Sequence, residues 1–297
     1  MDEAGKSSAV DPVHLVALLE EPYLSVPMES AKWSSRMGMW WLLIFAASTA
    51  MFALQGNTWL TWTLFVLMAG GLFLRTSIRA LRFSKALGFA QAFFFEGQTH
   101  EAELLYVAMA RDAGSQAQLR AIAIVQLAAC ALREGNSQRT LALLSGVERA
   151  PLFVGAMPEY AAESALMLAQ ANTLLGELED AQFWLEEAAR RLPADSKAGI
   201  AVSTLFFLAR EERFHTALDV IAHVEEVLVN ALDDIEWQRI QFVRAFCMAN
   251  IPEGKTVDGQ EELERFLNGV TRRWTAPMTV HWPALASFFE EGFALAV

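Results

Sequence analysis

Hydrophobic positions along the chain fall into two regimes. Met37 to Leu54 is a run of 18 residues without a charge, and Trp59 to Leu74 adds 16 more. At 1.5 Å per residue these runs reach about 27 Å and 24 Å as helices, just enough for a thin hydrocarbon core. Only Gln55-Gly56-Asn57-Thr58 separates them, a turn too short for anything but an antiparallel helical hairpin. From Phe83 onward the pattern changes. Apolar residues recur at three- and four-residue intervals, broken by short Gly, Asn, Asp or Pro turns, which predicts consecutive antiparallel helices with hardly a strand among them. The expected fold class is all-α: a two-span transmembrane helical hairpin, then an α-solenoid with a helical end cap.

The flanks of the two runs fit a membrane. Trp33, Trp40, Trp41, Trp59 and Trp62 lie near the ends, where indoles favour the headgroup region. Lys32 and Arg36 precede the first run, and Arg75, Arg79, Arg82 and Lys85 follow the second, while the turn is uncharged. These five tryptophans, with Arg75 and Arg79, are the expected membrane-interface residues, and both termini should face the cytoplasm. Arginine outnumbers lysine 18 to 5 and alanine is abundant, so the expected location is a bacterial inner membrane. The alternative is a buried helix pair in a soluble core. A cleaved signal peptide fits less well, since the first run starts after an acidic leader holding Glu20, Glu21 and Glu29. Gly70-Gly71 permits close helix packing, either within the hairpin or against other spans. In the leader, residues 1–35, the stretch Pro12 to Glu21 sets Val13, Val16 and Leu19 at helical spacing. It reads as a surface helix, or as one docking at the interface or in a groove, with its acidity disfavouring the interface.

Behind the hairpin, assigned to 36–76, the sequence repeats. The clearest unit runs Ala165, Leu168, Ala169, Gly176, Ala181, Leu185, Ala188, Pro193. The glycine ends a first helix where a left-handed turn is needed, and small alanines sit where the second helix approaches the first. The spacing returns at Ala86, Phe89, Ala90, Phe93, Gly97, Ala102, Tyr106, Met109, and at Ile124, Leu127, Ala128, Ala131, Gly135, Thr140, Leu144, Val147. A weaker copy, Ala201, Leu205, Leu208, Ala217, Ile221, Val224, has Glu212 where the others have glycine. The unit resembles the tetratricopeptide repeat, a 34-residue helix-turn-helix module. The resemblance covers about 83–232, half of the chain, although the anchors Ala102, Thr140, Ala181 and Ala217 are 38, 41 and 36 residues apart. Repeats are therefore assigned to 77–232. Residues 233–297 are assigned to a C-terminal cap, with Asp258 to Val270 and Pro283 to Ala296 covering the last repeat. The apolar tail, Trp282, Leu285, Phe288, Phe289, Phe293 and Leu295, either packs there or forms an exposed docking surface.

The resemblance implies that the first helix of each pair lines a concave face that binds peptides or helices. Its geometry points to Leu87, Gln91, Phe94, Val125, Ala129, Leu166, Gln170, Thr173, Val202, Phe206 and Arg210, unless a one-position offset turns them inward. These are mostly apolar or neutral, and the family's carboxylate clamp of Lys and Asn is not present. The implied partner is a protein offering an apolar helix or hydrophobic peptide.

Charge and chemistry narrow the function. The net charge is −12, and residues 83–297 hold all of it, with 17 basic against 29 acidic side chains. That argues against nucleic acid, which needs clustered cations, and allows a basic partner. Acidic runs such as Glu177, Glu179, Asp180, Glu186, Glu187 and Asp233, Asp234, Glu236 read as solvated outer faces. At 54% apolar, with mean hydropathy +0.27, the chain is apolar for a soluble protein. Cys130 and Cys247 read as core thiols, and His14, His100, His215, His223 and His281 are too scattered for a metal. No nucleophile elbow, phosphate loop or dinucleotide fingerprint occurs in the sequence, and no catalytic residue, metal or cofactor is expected. The expected function is a non-enzymatic membrane scaffold or adaptor. The alternatives are an assembly factor for membrane-protein clients and an uncharacterised enzyme with residues gathered from distant helices.

Overall fold

The computed structural model describes residues 58–113, 117–148, 157–192 and 197–295. The leader, the first apolar run and Trp33, Trp40 and Trp41 lie outside the described residues, as do the side chains of Trp62, Arg75 and Arg79. Every regular element described is helical. The first eight α-helices are α1 (Thr58–Phe95), α2 (Thr99–Asp112), α3 (Ala117–Arg133), α4 (Ser137–Glu148), α5 (Pro158–Leu175), α6 (Leu178–Arg191), α7 (Lys197–Arg210) and α8 (Phe214–Ala222). They are followed by α9 (Glu225–Ala231), α10 (Asp234–Ala249), α11 (Val257–Leu267), α12 (Arg272–Thr279) and α13 (Pro283–Leu295).

One turn recurs four times. At Gly97, Gly135, Gly176 and Glu212 the backbone turns left-handed, with φ of 77°, 79°, 89° and 62°. Each of these residues donates its N–H to the carbonyl three positions back, and the next residue donates to the carbonyl five back. The four long bonds, Gln98 to Phe93, Asn136 to Ala131, Glu177 to Asn172 and Arg213 to Leu208, measure 2.8, 2.8, 2.9 and 2.9 Å. The carbonyl of that same next residue then accepts the first bond of the following helix, from Ala102, Thr140, Ala181 and Ala217. These four anchors are fully buried where second helix meets first, which is why they are small. Glycine suits three of the turns because it carries no Cβ penalty at positive φ. Glu212 adopts the same geometry with a side chain.

The four hairpins, α1–α2, α3–α4, α5–α6 and α7–α8, pack within themselves, and α3, α5, α7 and α10 pack in succession. Gly199 lets α7 approach α5 closely, since a β-carbon there would meet Leu166. Most of the buried apolar residues belong to one cluster running from Phe83 to Phe289.

The end of the chain does more than cover a last repeat. Both α11 and the tail pack on α10: Phe266 and Leu263 sit with Met248 and Ile251, and Phe288 lies 5.6 Å from both Phe242 and Phe246. Trp282, Leu285 and Phe289 are buried, so these tail residues form no exposed docking surface; the side chains of Phe293 and Leu295 lie outside the described residues. Contrary to a simple end cap, α12 reaches back to the beginning. Trp274 stands where a β-carbon of Gly97 would be, 2.8 Å away, and the Pro277 backbone crowds Gly135. Arg210 donates to the His281 carbonyl at 3.1 Å and lies 5.0 Å from the Trp282 ring.

The hairpin expected over 36–76 is not found among the described residues. No described helix is long and apolar enough to cross a membrane. Its first run lies outside the description, and its second opens α1, whose charge-free stretch ends at Arg75. The expected boundary at 76/77 falls inside this single unbroken helix. From Trp59 to Arg82 every described side chain is exposed, and Phe83 is the first to be buried.

A left-handed residue with a side chain costs about 1–2 kcal/mol, partly offset by the extra unfolded-state freedom of glycine. Glu212→Gly should therefore raise stability by about 0.5–1 kcal/mol. Gly135→Ala should lower it by more than about 2 kcal/mol, because strain adds to the collision with Pro277. Urea midpoints of the two variants against the parent measure both effects, and a stabilised Gly135→Ala would contradict the turn geometry.

Candidate functional site

The first helices of the first three hairpins meet the start of α10 around a cavity of about 240 Å³. Phe94 and Phe95 come from α1, Ala129, Leu132 and Arg133 from α3, and Glu163, Met167 and Gln170 from α5. Ala231, Leu232, Asp233, Glu236 and Arg239 close it from the α9–α10 side. Three groove residues expected from the sequence, Phe94, Ala129 and Gln170, are thus brought together.

Two buried guanidinium groups organise one wall. Arg133 stacks 3.6 Å from the centroid of the Phe94 ring and donates to the Phe94 carbonyl at 2.6 Å. It also pairs with Asp233 at 2.6 Å. Arg239 donates to the Arg133 carbonyl, to the Trp274 carbonyl at 3.1 Å and to Glu236 at 3.1 Å. Burial pulls the Arg239 guanidinium below its ordinary pKa, against the attraction of Glu236. Asp233 serves twice, since its other oxygen accepts from the Glu236 N–H at 2.8 Å and caps α10. Of the expected solvated run Asp233, Asp234 and Glu236, Asp234 is exposed, but Asp233 and Glu236 instead neutralise buried arginines from α3 and α10. Of the other run, Glu177, Glu179, Asp180 and Glu186 are exposed.

The opposite wall carries one carboxylate in a different situation. Glu163 accepts from the Gln126 amide at 3.4 Å, and Gln126 in turn accepts from the Tyr106 hydroxyl at 3.4 Å. Glu163 is half-buried at the cavity wall, and its burial raises its pKa, with the Gln126 bond pulling the other way. The lining offers carboxylates, guanidinium groups, an amide and aromatic faces, but no hydroxyl, thiol or imidazole. Such a set suits recognition of a polar group entering beside the contacting rings of Phe94 and Phe95.

The remaining expected groove residues lie elsewhere. Val125, Thr173, Val202 and Phe206 are buried, and Phe206 has no exposed surface at all. The expectation that these four present a binding face is corrected: α7, which carries Val202 and Phe206, is enclosed by α5, α6, α8, α9 and α10, Val125 packs in the main core, and Thr173 turns its hydroxyl to the Ala169 carbonyl of its own helix. Leu87, Gln91 and Leu166 are half-buried outside this cavity, and half-buried Arg210 ties down the C-terminal segment. Cys130 and Cys247 are buried, and burial pushes both thiols up to about 12. Among the described residues no group of His, Cys, Asp and Glu could hold a metal ion. A larger cleft, about 570 Å³, lies where α1 leaves the body, lined mainly by apolar residues with Arg82 and Asp112.

Sequence reading missed Glu163, Arg133 and Arg239. Their signal is a charge on an otherwise apolar stripe: Glu163 is the only charge between Tyr160 and Gly176, and Arg133 ends the long apolar run of α3.

No family model, curated protein or solved structure matches the chain.

Two predictions follow from the buried groups. Asp233→Asn keeps the helix cap but removes the charge opposite Arg133, and should cost about 1–3 kcal/mol in denaturant unfolding. A variant as stable as the parent would mean that Glu236 alone suffices. Native protein at pH 8 should leave both cysteines unmodified by a disulfide reagent such as Ellman's, with both reacting once urea unfolds the chain. Rapid reaction of either in the folded state would contradict its burial.

Proposed function

We propose that this protein is a non-enzymatic scaffold or adaptor, held at a membrane by its N-terminal apolar stretch and presenting a helical-repeat body to a protein partner. The observation that carries the proposal is the asymmetry of α1. Its second half is the first helix of the repeat body, while its first half exposes Trp59, Val66, Leu67 and Leu74, each at least 60% accessible. Apolar surface of this extent is costly in water and marks a lipid or protein contact. Lipid fits the ordering of residues, since indoles stand at one end and Arg75, Arg79 and Arg82 at the other.

The apolar part of α1 is short for a full bilayer, and arginine side chains reaching back toward the headgroups lengthen its effective span. The preceding run, Met37 to Leu54, completes the proposed anchor, which puts both termini and the repeat body in the cytoplasm. The stacked hairpins support a solenoid of tetratricopeptide type, modified because its own C-terminal helices occupy much of the concave side. What remains open is the cavity between α1, α3, α5 and α10, bordered by a body of net negative charge.

Carbonate extraction and single-cysteine labelling test the anchor. The full chain should stay with the membrane fraction, and Gly56→Cys and Ser196→Cys should react with a membrane-impermeant maleimide from opposite sides. Val66→Asp combined with Leu67→Asp changes only exposed positions, so it should weaken membrane retention while preserving the body's helical signal. A parent protein that extracts as a soluble species overturns the proposal, as does labelling of both cysteines from one side.

A further inference from the structure

We propose that the cavity around Glu163 is a recognition pocket for a cationic side chain, the arginine or lysine of a partner polypeptide. The inference deepens the scaffold reading and rests on it only for the source of the cation.

The charges around the cavity carry the argument. Two cations and three carboxylates line it, and the pairing among them is uneven. Asp233 and Glu236 are taken by Arg133 and Arg239, which also donate to the Phe94, Trp274 and Arg133 carbonyls, while the buried Arg133 Nε is left without a hydrogen-bond partner. Glu163 faces the same space with the Gln126 amide as its hydrogen-bond partner, at 3.4 Å, and forms no ion pair among the described residues. One negative charge is thus left without a counter-charge in a largely enclosed place, which is where an incoming cation gains most. The volume, about 240 Å³, holds a side chain rather than a whole peptide. Phe94 and Phe95, with ring centroids 5.8 Å apart, stand at the same cavity and can cover the methylene stem or the face of a guanidinium. The net negative charge of the body favours approach of such a partner.

Protonation sets a second signature. The groups facing Glu163 are Gln126 from α3, Tyr106 from α2, Tyr160 one turn earlier on α5, and across the cavity Arg133, Asp233, Glu236 and Arg239. Burial raises the Glu163 carboxyl, so lowering the pH neutralises it before an exposed glutamate, and affinity for a cation then falls.

Full-length protein in detergent, titrated with a fluorescent eight-residue peptide of leucine and alanine around one central arginine, tests the proposal. The same peptide with citrulline keeps the shape and loses the charge. The arginine peptide should bind at least ten-fold more tightly, weakening as the pH is lowered from 8 to 5.5. Glu163→Gln should reduce it to the citrulline level. Because Glu163→Gln alters a buried network, Ala129→Lys is the second arm: it places a tethered ammonium in the cavity and should block the arginine peptide while the protein melts normally. Equal binding of arginine and citrulline peptides overturns the proposal, as does full binding by either folded variant. Failure of these arms with a membrane-retained parent sinks the pocket and leaves the anchor standing; success with an extractable parent does the reverse.

Discussion

Two arginines removed from water hold the beginning and end of this fold together. Arg133 ends the first helix of the second hairpin, and its charge is answered by Asp233, a hundred residues further on. Arg239 returns the favour by donating to the backbone of Arg133 and to that of Trp274. A buried cation without its partners is among the most costly defects a protein can carry, about 3–5 kcal/mol when one member of a pair is lost. The geometry of the cluster therefore leaves few ways for α10 and α12 to sit. Once they are seated, Trp274 and Pro277 fill the spaces beside Gly97 and Gly135, and the turns of the first two hairpins are covered by the end of the chain.

Legibility in the sequence followed the range of the interactions. Turns at Gly97, Gly135 and Gly176 and the small anchors Ala102, Thr140, Ala181 and Ala217 could be read because each is decided within a few residues, by positive φ or by close helix approach. Even the departure at Glu212 marked a true fourth turn. Phe206 was misplaced because reading it as a groove residue required knowing what lay opposite, and the covering helix α10 begins 28 residues later. Likewise Asp233 and Glu236 looked like a solvated acidic patch, since nothing local shows that Arg133 and Arg239 need them. The candidate site was half legible: Phe94, Ala129 and Gln170 followed from the helical spacing, while Glu163 shows in the sequence only as a lone charge on an apolar stripe, and its missing counter-charge is a property no sequence displays.

Burial and openness are divided unevenly between the two halves of α1. Its C-terminal half contributes Phe83 and Ala90 to the main core, and Phe94 to the arginine cluster. Its N-terminal half contributes none of its described side chains to any core. Hydrogen bonding within the helix keeps the backbone satisfied along its length, so the bare half can persist as a helix wherever an apolar surface receives it.

Because no loop interrupts α1, the helix works as a lever arm. From Trp59 to Arg82 it runs about 36 Å at 1.5 Å per residue, bordering a cleft with Met109 and Leu119 at Gly71, Leu74, Ile78 and Arg82, and a tilt imposed at its far end is handed on along the helix. Facing changes along the arm as well: from one residue to the next the exposed direction turns by about 100° around the shaft. The arm has one compliant place, Gly70-Gly71, where two residues of poor helix propensity follow each other with open space around them. Whether the body swings or stays fixed is therefore decided at those two glycines, far from any of the contacts that hold it together.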